Sequence, residues 1–213
     1  MAIQFQDETV IIHRFICGPL ANNTYLIVCA QTNQSIIIDL PEDARELIDT
    51  AINTEVQRIV ITHNHRDHIQ GYFDVTKDIK APVGICQADA DALPRPADFF
   101  IEHGSAIKAG TVTLKAIATP GHTPGSMSLG MGKHLFTGDT LFPGGPGRTQ
   151  SPKDLRQIIQ SIRTRLFVKD LDTIFYPGHG EGSTLRLARH EYGIFASKQH
   201  PDDLTGDVTW LGS

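Results

Sequence analysis

The order of apolar segments predicts an α/β (α+β) fold, a four-layer αββα sandwich with two sheets face to face and helices outside. Three observations lead there. Short β-branched, apolar runs are bounded by Gly, Pro and Asn, as strands are. Segments with helical periodicity lie between some of these runs. The succession of strands, then helix, then strands, then helix occurs twice, giving residues 1–213 as a single domain of two comparable halves, with no linker or repeat between them.

Taken in order, residues 9–15, 24–29 and 34–39 read as strands separated by turns at Gly18-Pro19, Asn22-Asn23 and Thr32-Asn33. Pro41, with Glu42 and Asp43 behind it, is expected to open a helix reaching about residue 52, its acids at the positive end. A strand over 56–61 follows, then a helical stretch over 70–75, a strand over 81–85 and a short helix over 87–93. The runs 105–108, 111–119, 126–130 and 134–137 form an antiparallel set. Ser151, Pro152 and Asp154 cap a helix whose stripe is Leu155, Ile158, Ile159, Ile162 and Leu166. A last strand at 173–176 and a last helix at 185–195 complete the order.

Composition excludes several function classes. Hydrophobic content of 40% and charged content of 20% are those of a water-soluble globular protein with a substantial core. A net charge of -5 argues against nucleic acid or an anionic membrane as partner. No apolar run is long enough for a transmembrane helix, and the first residues lack the basic-then-apolar pattern of a signal peptide. Cys17, Cys29 and Cys86 are odd in number, form no C-x-x-C pair, and read as reduced structural thiols, which points to the cytoplasm.

Thr62-His63-Asn64-His65-Arg66-Asp67-His68 concentrates metal-competent side chains directly after the 56–61 strand. His63 and His65 are two apart and point to one side of extended backbone. Asp67 and His68 are adjacent, so only a turn aims both inward, which points to a second ion beside the first. Such a cluster would be costly without a counter-ion, and it is read as a metal site.

The second half supplies comparable groups at strand ends, each beside glycine. His122 lies in Pro120-Gly121-His122-Thr123-Pro124-Gly125, Asp139 in Thr137-Gly138-Asp139-Thr140, and His179 in Pro177-Gly178-His179-Gly180. Ligands from both halves meeting at one edge of the sandwich would line a cleft.

His-x-His-x-Asp-His followed by Gly-His, Gly-Asp and Gly-His-Gly resembles the metallo-β-lactamase-fold metallo-hydrolases over most of the chain. Gly138-Asp139-Thr140-Leu141-Phe142 and Gly144-Gly145-Pro146-Gly147-Arg148-Thr149 most resemble its glyoxalase II-like branch. The resemblance implies an αββα sandwich of that type. It also implies His63, His65 and His122 on one metal, Asp67, His68 and His179 on a second, and Asp139 bridging them. Imidazole and carboxylate donors suit two divalent ions, Zn²⁺ first, with Fe or Mn also accepted.

A water held between two dications about 3.5–4 Å apart would have its pKa lowered to near 7, and the bridging hydroxide would attack an acyl carbon. Asp67 and Asp139 are the catalytic carboxylates in this scheme. A thiolate leaves without protonation, so a small-molecule thioester or related acyl compound is the expected substrate. The runner-up activity is that of a mono-iron persulfide dioxygenase. β-Lactam or lactone hydrolysis ranks lower, because the best-known β-lactamases of this fold lack a residue like Asp139 and the lactonases carry tyrosine where Phe142 stands. Arg148 and Phe142 are the candidate substrate contacts, with a structural ion pair as the other reading of Arg148. Asp39 is either a group orienting a metal-bound histidine or a turn aspartate. Arg186, Arg189 and Lys198 read as solvated charge rather than a glutathione site. His13, His103, His134, His190 and His200 read as packing or surface residues. Trp210 and Leu211, in a tail too polar for core, are expected to cover an apolar surface, a subunit contact being one possibility.

Overall fold

The computed structural model describes residues 2–212. The first sheet holds seven strands in chain order: β1 (Ala2–Gln6), β2 (Val10–Cys17), β3 (Asn22–Cys29), β4 (Gln34–Ile38), β5 (Glu55–Val60), β6 (Val83–Ile85) and β7 (Phe99–Phe100). β1 to β4 pair antiparallel, whereas β4 to β7 are parallel. Parallel neighbours need crossovers, and α1 (Arg45–Ala51) and α2 (Tyr72–Asp78) supply two of them.

The second sheet comprises β8 (Ala106–Ala109), β9 (Val112–Ala118), β10 (Met127–Met131), β11 (His134–Gly138), β14 (Ile174–Pro177) and β15 (Ser183–Thr184). A two-stranded ribbon, β12 (Leu141–Phe142) with β13 (Gly145–Pro146), leaves the end of β11. α3 (Pro152–Ser161) makes the crossover to β14, and α4 (Leu185–Ala196) closes the second outer layer.

Side-chain alternation explains the layering. On β3 and β4, Tyr25, Ile27, Ile36 and Ile38 face the second sheet, meeting Leu129 and Phe136 there. Their neighbours Leu26, Val28 and Ile37 face Leu47 and Ile48 of α1. The period of two thus serves two apolar layers at once. A third layer lies beyond the second sheet, where Leu135 and Phe175 meet Leu155 and Ile158 of α3 and Phe195 of α4. Three apolar layers between four layers of structure are the expected αββα sandwich.

Several details differ from expectation. α1 opens at Arg45 rather than Pro41, because Asp43 takes a left-handed φ of 59° that no helix accepts. Leu40 is instead pinned beside the histidine loop, its N–H donating to the His68 carbonyl at 2.8 Å. Asn22 and Asn23 are not a turn but the buried start of β3. On α3 the stripe is buried at Leu155, Ile158, Ile162 and Leu166, with Ile159 half-covered. The stripe extends through 162–166 by a wider turn in which Phe167 N–H bonds the Ile162 carbonyl.

The tail is core. Trp210 has no exposed surface and packs against Tyr192 and Phe195 with ring centroids 5.3 and 5.1 Å away, while Leu211 is exposed. Trp210 therefore covers an apolar surface of its own chain. Cys17 and Cys29 are buried and Cys86 half-buried. Among the described residues, no helix is long and apolar enough to cross a membrane.

Candidate metal centre

All seven predicted side chains come together at one edge of the sandwich, where strands of both sheets end. The loop after β5 carries His63 and His65, and a single tight turn, Arg66–His68, aims Asp67 and His68 inward. His122 sits between β9 and β10, Asp139 directly after β11, and His179 after β14. The donor atoms of His63, His65, His122 and Asp139 lie within 4.8 Å of one another, as do those of Asp67, His68 and His179. Asp139 faces both groups: Oδ1 is 3.5 Å from His68 Nε2, and Oδ2 is 3.6 Å from Nε2 of both His122 and His179.

Glycines make this convergence possible. A Cβ on Gly178 would lie 2.2 Å from Asp139 Oδ1, and one on Gly147 would lie 1.8 Å from the Asp139 carbonyl oxygen. Gly121, at φ 137°, lets the His122 turn approach the second half of α3, where a Cβ would meet Ile158 N at 2.4 Å.

The hydrogen bonds on the far side of each ring decide which nitrogen carries the proton. His122 Nδ1 donates to the Arg148 carbonyl at 2.8 Å, and His179 Nδ1 to the Leu20 carbonyl at 3.0 Å. His68 Nδ1 donates to Asp39 Oδ2 at 2.9 Å. The Thr62 hydroxyl donates to Asp39, leaving it to accept from His63 Nδ1 at 3.0 Å. In its neutral form each of these four rings therefore turns the lone pair of Nε2 inward. Two of those lone pairs oppose each other 3.3 Å apart, on His68 and His179. His65 Nδ1 stands 2.9 Å from His122 Nε2. Inside the cluster, His63 Nε2 and Asp139 Oδ1 are buried without any hydrogen-bond partner. Lone pairs facing lone pairs beside an orphaned carboxylate oxygen are a donor set that a cation satisfies.

The electrostatics set the histidines apart. Burial, with the His68 ring beside it, pushes the His63 imidazole well below its ordinary range, and burial lowers His122 as well. Burial opposes the charge on Asp139, yet the His68, His63 and His122 rings hold its carboxyl below the usual carboxylate range. Asp67 is likewise held low against burial by His179 and Asn22. His68 and His179 are raised despite burial, the first chiefly by Asp139 and Asp39, the second by Asp67.

Three supporting residues escape a reading of motifs. Asn22 donates to Asp67 Oδ2 at 2.7 Å. Asn23 clamps the His179 loop, its side chain donating to the Pro177 and Gly180 carbonyls at 2.9 and 2.8 Å. Buried Asp89 accepts from Asn64 N–H, the Thr123 hydroxyl and Gly125 N–H, joining the first histidine loop to the His122 turn. Asp39 is resolved in favour of the orienting role.

The two candidate substrate contacts sit differently. The Phe142 ring is 6.4 Å from the His179 ring, at the mouth of the site. Arg148 puts its backbone, not its guanidinium, on the cluster; the side chain is 66% exposed and 3.8 Å from Asp207. A cleft of about 390 Å³ opens beside His122, lined by Pro120, Pro124, Gln150, Lys153 and Gln157. Another of about 410 Å³, between Arg58, Phe100 and Lys108, touches none of the seven.

Known proteins carry related chains. The family model described as the metallo-beta-lactamase superfamily matches residues 17–179. A hydroxyacylglutathione hydrolase of Polaromonas sp. is 32% identical over 177 residues, 80% of this chain and 66% of its own. The chain spans about two thirds of that relative's length. The human mitochondrial persulfide dioxygenase is 30% identical over 178 residues, 79% of this chain and 68% of its own. The solved structure of TTHA1623 in a di-iron-bound form superposes with a TM-score of 0.71 at 26% identity, covering 83% of this chain and 96% of that one. With the family match running from the end of β2 to His179, this chain belongs to the metallo-beta-lactamase superfamily.

Proposed function

We propose that the protein is a binuclear metal-dependent hydrolase of small acyl thioesters. His63, His65 and His122 would hold one divalent ion, Asp67, His68 and His179 the other, with Asp139 between them. Neutral imidazoles with two carboxylates favour Zn²⁺; the di-iron form of TTHA1623 makes iron the second choice. When bound, such a pair supplies Lewis acidity toward a carbonyl oxygen and a water acidic near neutral pH.

One observation carries the choice of thioester. Among the described residues, the only side chain outside the seven that bonds an inward-facing atom of the cluster is Asn22, an amide. An amide is no general acid, so a leaving group that needs no proton suits the site best. A thiolate is such a group. Asn22 holds Asp67, which stays ionised and so available as a metal ligand. Phe142 gives the mouth an apolar wall for the acyl chain. The hydroxyacylglutathione hydrolase relative supports this reading, and the dioxygenase relative supplies its competitor.

The test is a panel of acyl thioesters, β-lactams, homoserine lactones and glutathione persulfide, run with an oxygen electrode after metal analysis. Thioesters turned over without oxygen uptake, and lost on chelation, are the expected result. Oxygen-consuming persulfide turnover with a single bound iron, or β-lactam cleavage with inert thioesters, would overturn it.

A further inference from the structure

The tail over residues 204–211 does more than fill the third apolar layer. It runs along the segment 144–149, which follows β12 and forms the wall behind the metal centre. Thr149 and Gly206 exchange both backbone hydrogen bonds at 3.1 Å, and Trp210 N–H donates to the Gly144 carbonyl at 2.7 Å. The Thr205 hydroxyl adds a bond to the Thr149 carbonyl at 3.2 Å. The fit is close: a Cβ on Gly145 would lie 2.5 Å from the Val208 carbonyl oxygen. Trp210, wholly buried, anchors the far end.

The segment held in this way touches the centre at two points. Gly147 abuts the Asp139 carbonyl, and a Cβ there would also lie 3.1 Å from His122 Nδ1. The Arg148 carbonyl accepts from that same Nδ1 at 2.8 Å. This bond keeps the proton on Nδ1 and the lone pair of Nε2 aimed inward. The tail's bonds at Gly144 and Thr149 bracket Arg148, so the tail fixes where that carbonyl stands.

We infer that the C-terminal tail is a positioning strap for the metal centre, setting His122 through the Arg148 carbonyl and so tuning the His63, His65 and His122 cluster more than its neighbour. Comparable partners of metal-bound histidines change affinity about 10–100-fold when lost. The inference rests on the metal reading above, and its test separates the two.

Gly145→Ala drives a methyl against the Val208 carbonyl and prises the strap away while leaving Trp210 and every donor side chain in place. Zn²⁺ affinity would be measured by calorimetry on metal-free protein in two backgrounds. His179→Ala isolates the first cluster, and His65→Ala isolates the second. Gly145→Ala should weaken Zn²⁺ by about 10-fold or more in the first background and change it little in the second, with the circular dichroism spectrum retained. Gly206→Ala, which strains the strap at φ 85° with open space around it, should act in the same direction more weakly. It serves as the readout if Gly145→Ala fails to fold. Equal loss in both backgrounds, or none in either, would overturn the strap. Failure of the parent backgrounds to bind Zn²⁺ at all would overturn the metal reading and the strap with it.

Discussion

His68 Nδ1 lies 2.9 Å from Asp39 Oδ2, and the two side chains are 0% and 2% exposed. Asp39 follows β4 with a φ of 65°, and the same carboxylate accepts Thr62 N–H at 2.7 Å and the Thr62 hydroxyl at 2.8 Å. One buried acid thus ties the end of the first sheet to both histidine clusters, reaching His63 through Thr62.

Asp39→Asn tests that tie. Asparagine tolerates the left-handed backbone and still accepts Thr62 N–H. Its amide group, however, would face the His68 Nδ1 proton, donor against donor. His68 would then favour the other tautomer, with a proton where the lone pair should be. Metal affinity of the Asp67, His68 and His179 cluster should fall about 10–100-fold, with a smaller loss at the other cluster, which the same Asp39 oxygen reaches only through the Thr62 hydroxyl. Elemental analysis after dialysis distinguishes the two; retention of both ions at wild-type affinity would count against the tie.

Gly178→Ala asks whether the close approach matters. Its φ lies outside the left-handed range, so alanine adds no strain of that kind. Its methyl would sit 2.2 Å from Asp139 Oδ1 and 2.7 Å from His68 Cε1, and must displace one of them. A displacement of about 1 Å commonly costs about 10²-fold in rate, so turnover should fall by that order with the melting temperature little changed. Gly193→Ala on α4, which meets nothing within 4 Å, is the control and should be neutral or stabilising by about 0.5–1 kcal/mol. Equal activity in the two variants would show that the site has slack at Gly178.

What could be read in advance follows from how local each signal is. Strands β3 and β4 were legible because β-branched residues and flanking turns lie within the run itself. The seven donors were legible because their residue types are rare neighbours and each stands beside a strand end. Asn22 was not, because its partner Asp67 is 45 residues away and two consecutive asparagines look like a turn. The signal that could have found it is an amide pair abutting a fully apolar strand. β1 was missed because it is an edge strand with little buried surface. That Trp210 covers an apolar surface was legible, but which surface was not, because its neighbours in sequence are polar and its partners Tyr192 and Phe195 lie on α4.

The last prediction concerns Asp139. Its oxygens divide between the clusters: Oδ1 faces His68, while Oδ2 stands between His122 and His179 and 4.0 Å from His63. A carboxylate with two charged oxygens can reach two ions and offset part of their mutual repulsion. Asparagine keeps the shape but loses the charge and one of the two oxygen donors. Asp139→Asn should therefore weaken the second ion more than the first, which keeps three imidazoles. Turnover should drop by about 10²-fold or more, the usual cost of removing one electrostatic element from such a site. The fold should persist, since the change lies just past the end of β11 and not in an apolar layer. Arg148→Ala is the companion variant. It removes an exposed guanidinium that lies 3.8 Å from Asp207 while keeping the carbonyl on His122, so both ions should remain and kcat should change little. Metal content and kcat of the two variants, measured side by side, decide the matter: an Asp139→Asn protein that keeps two ions and wild-type turnover has no bridging carboxylate at this position.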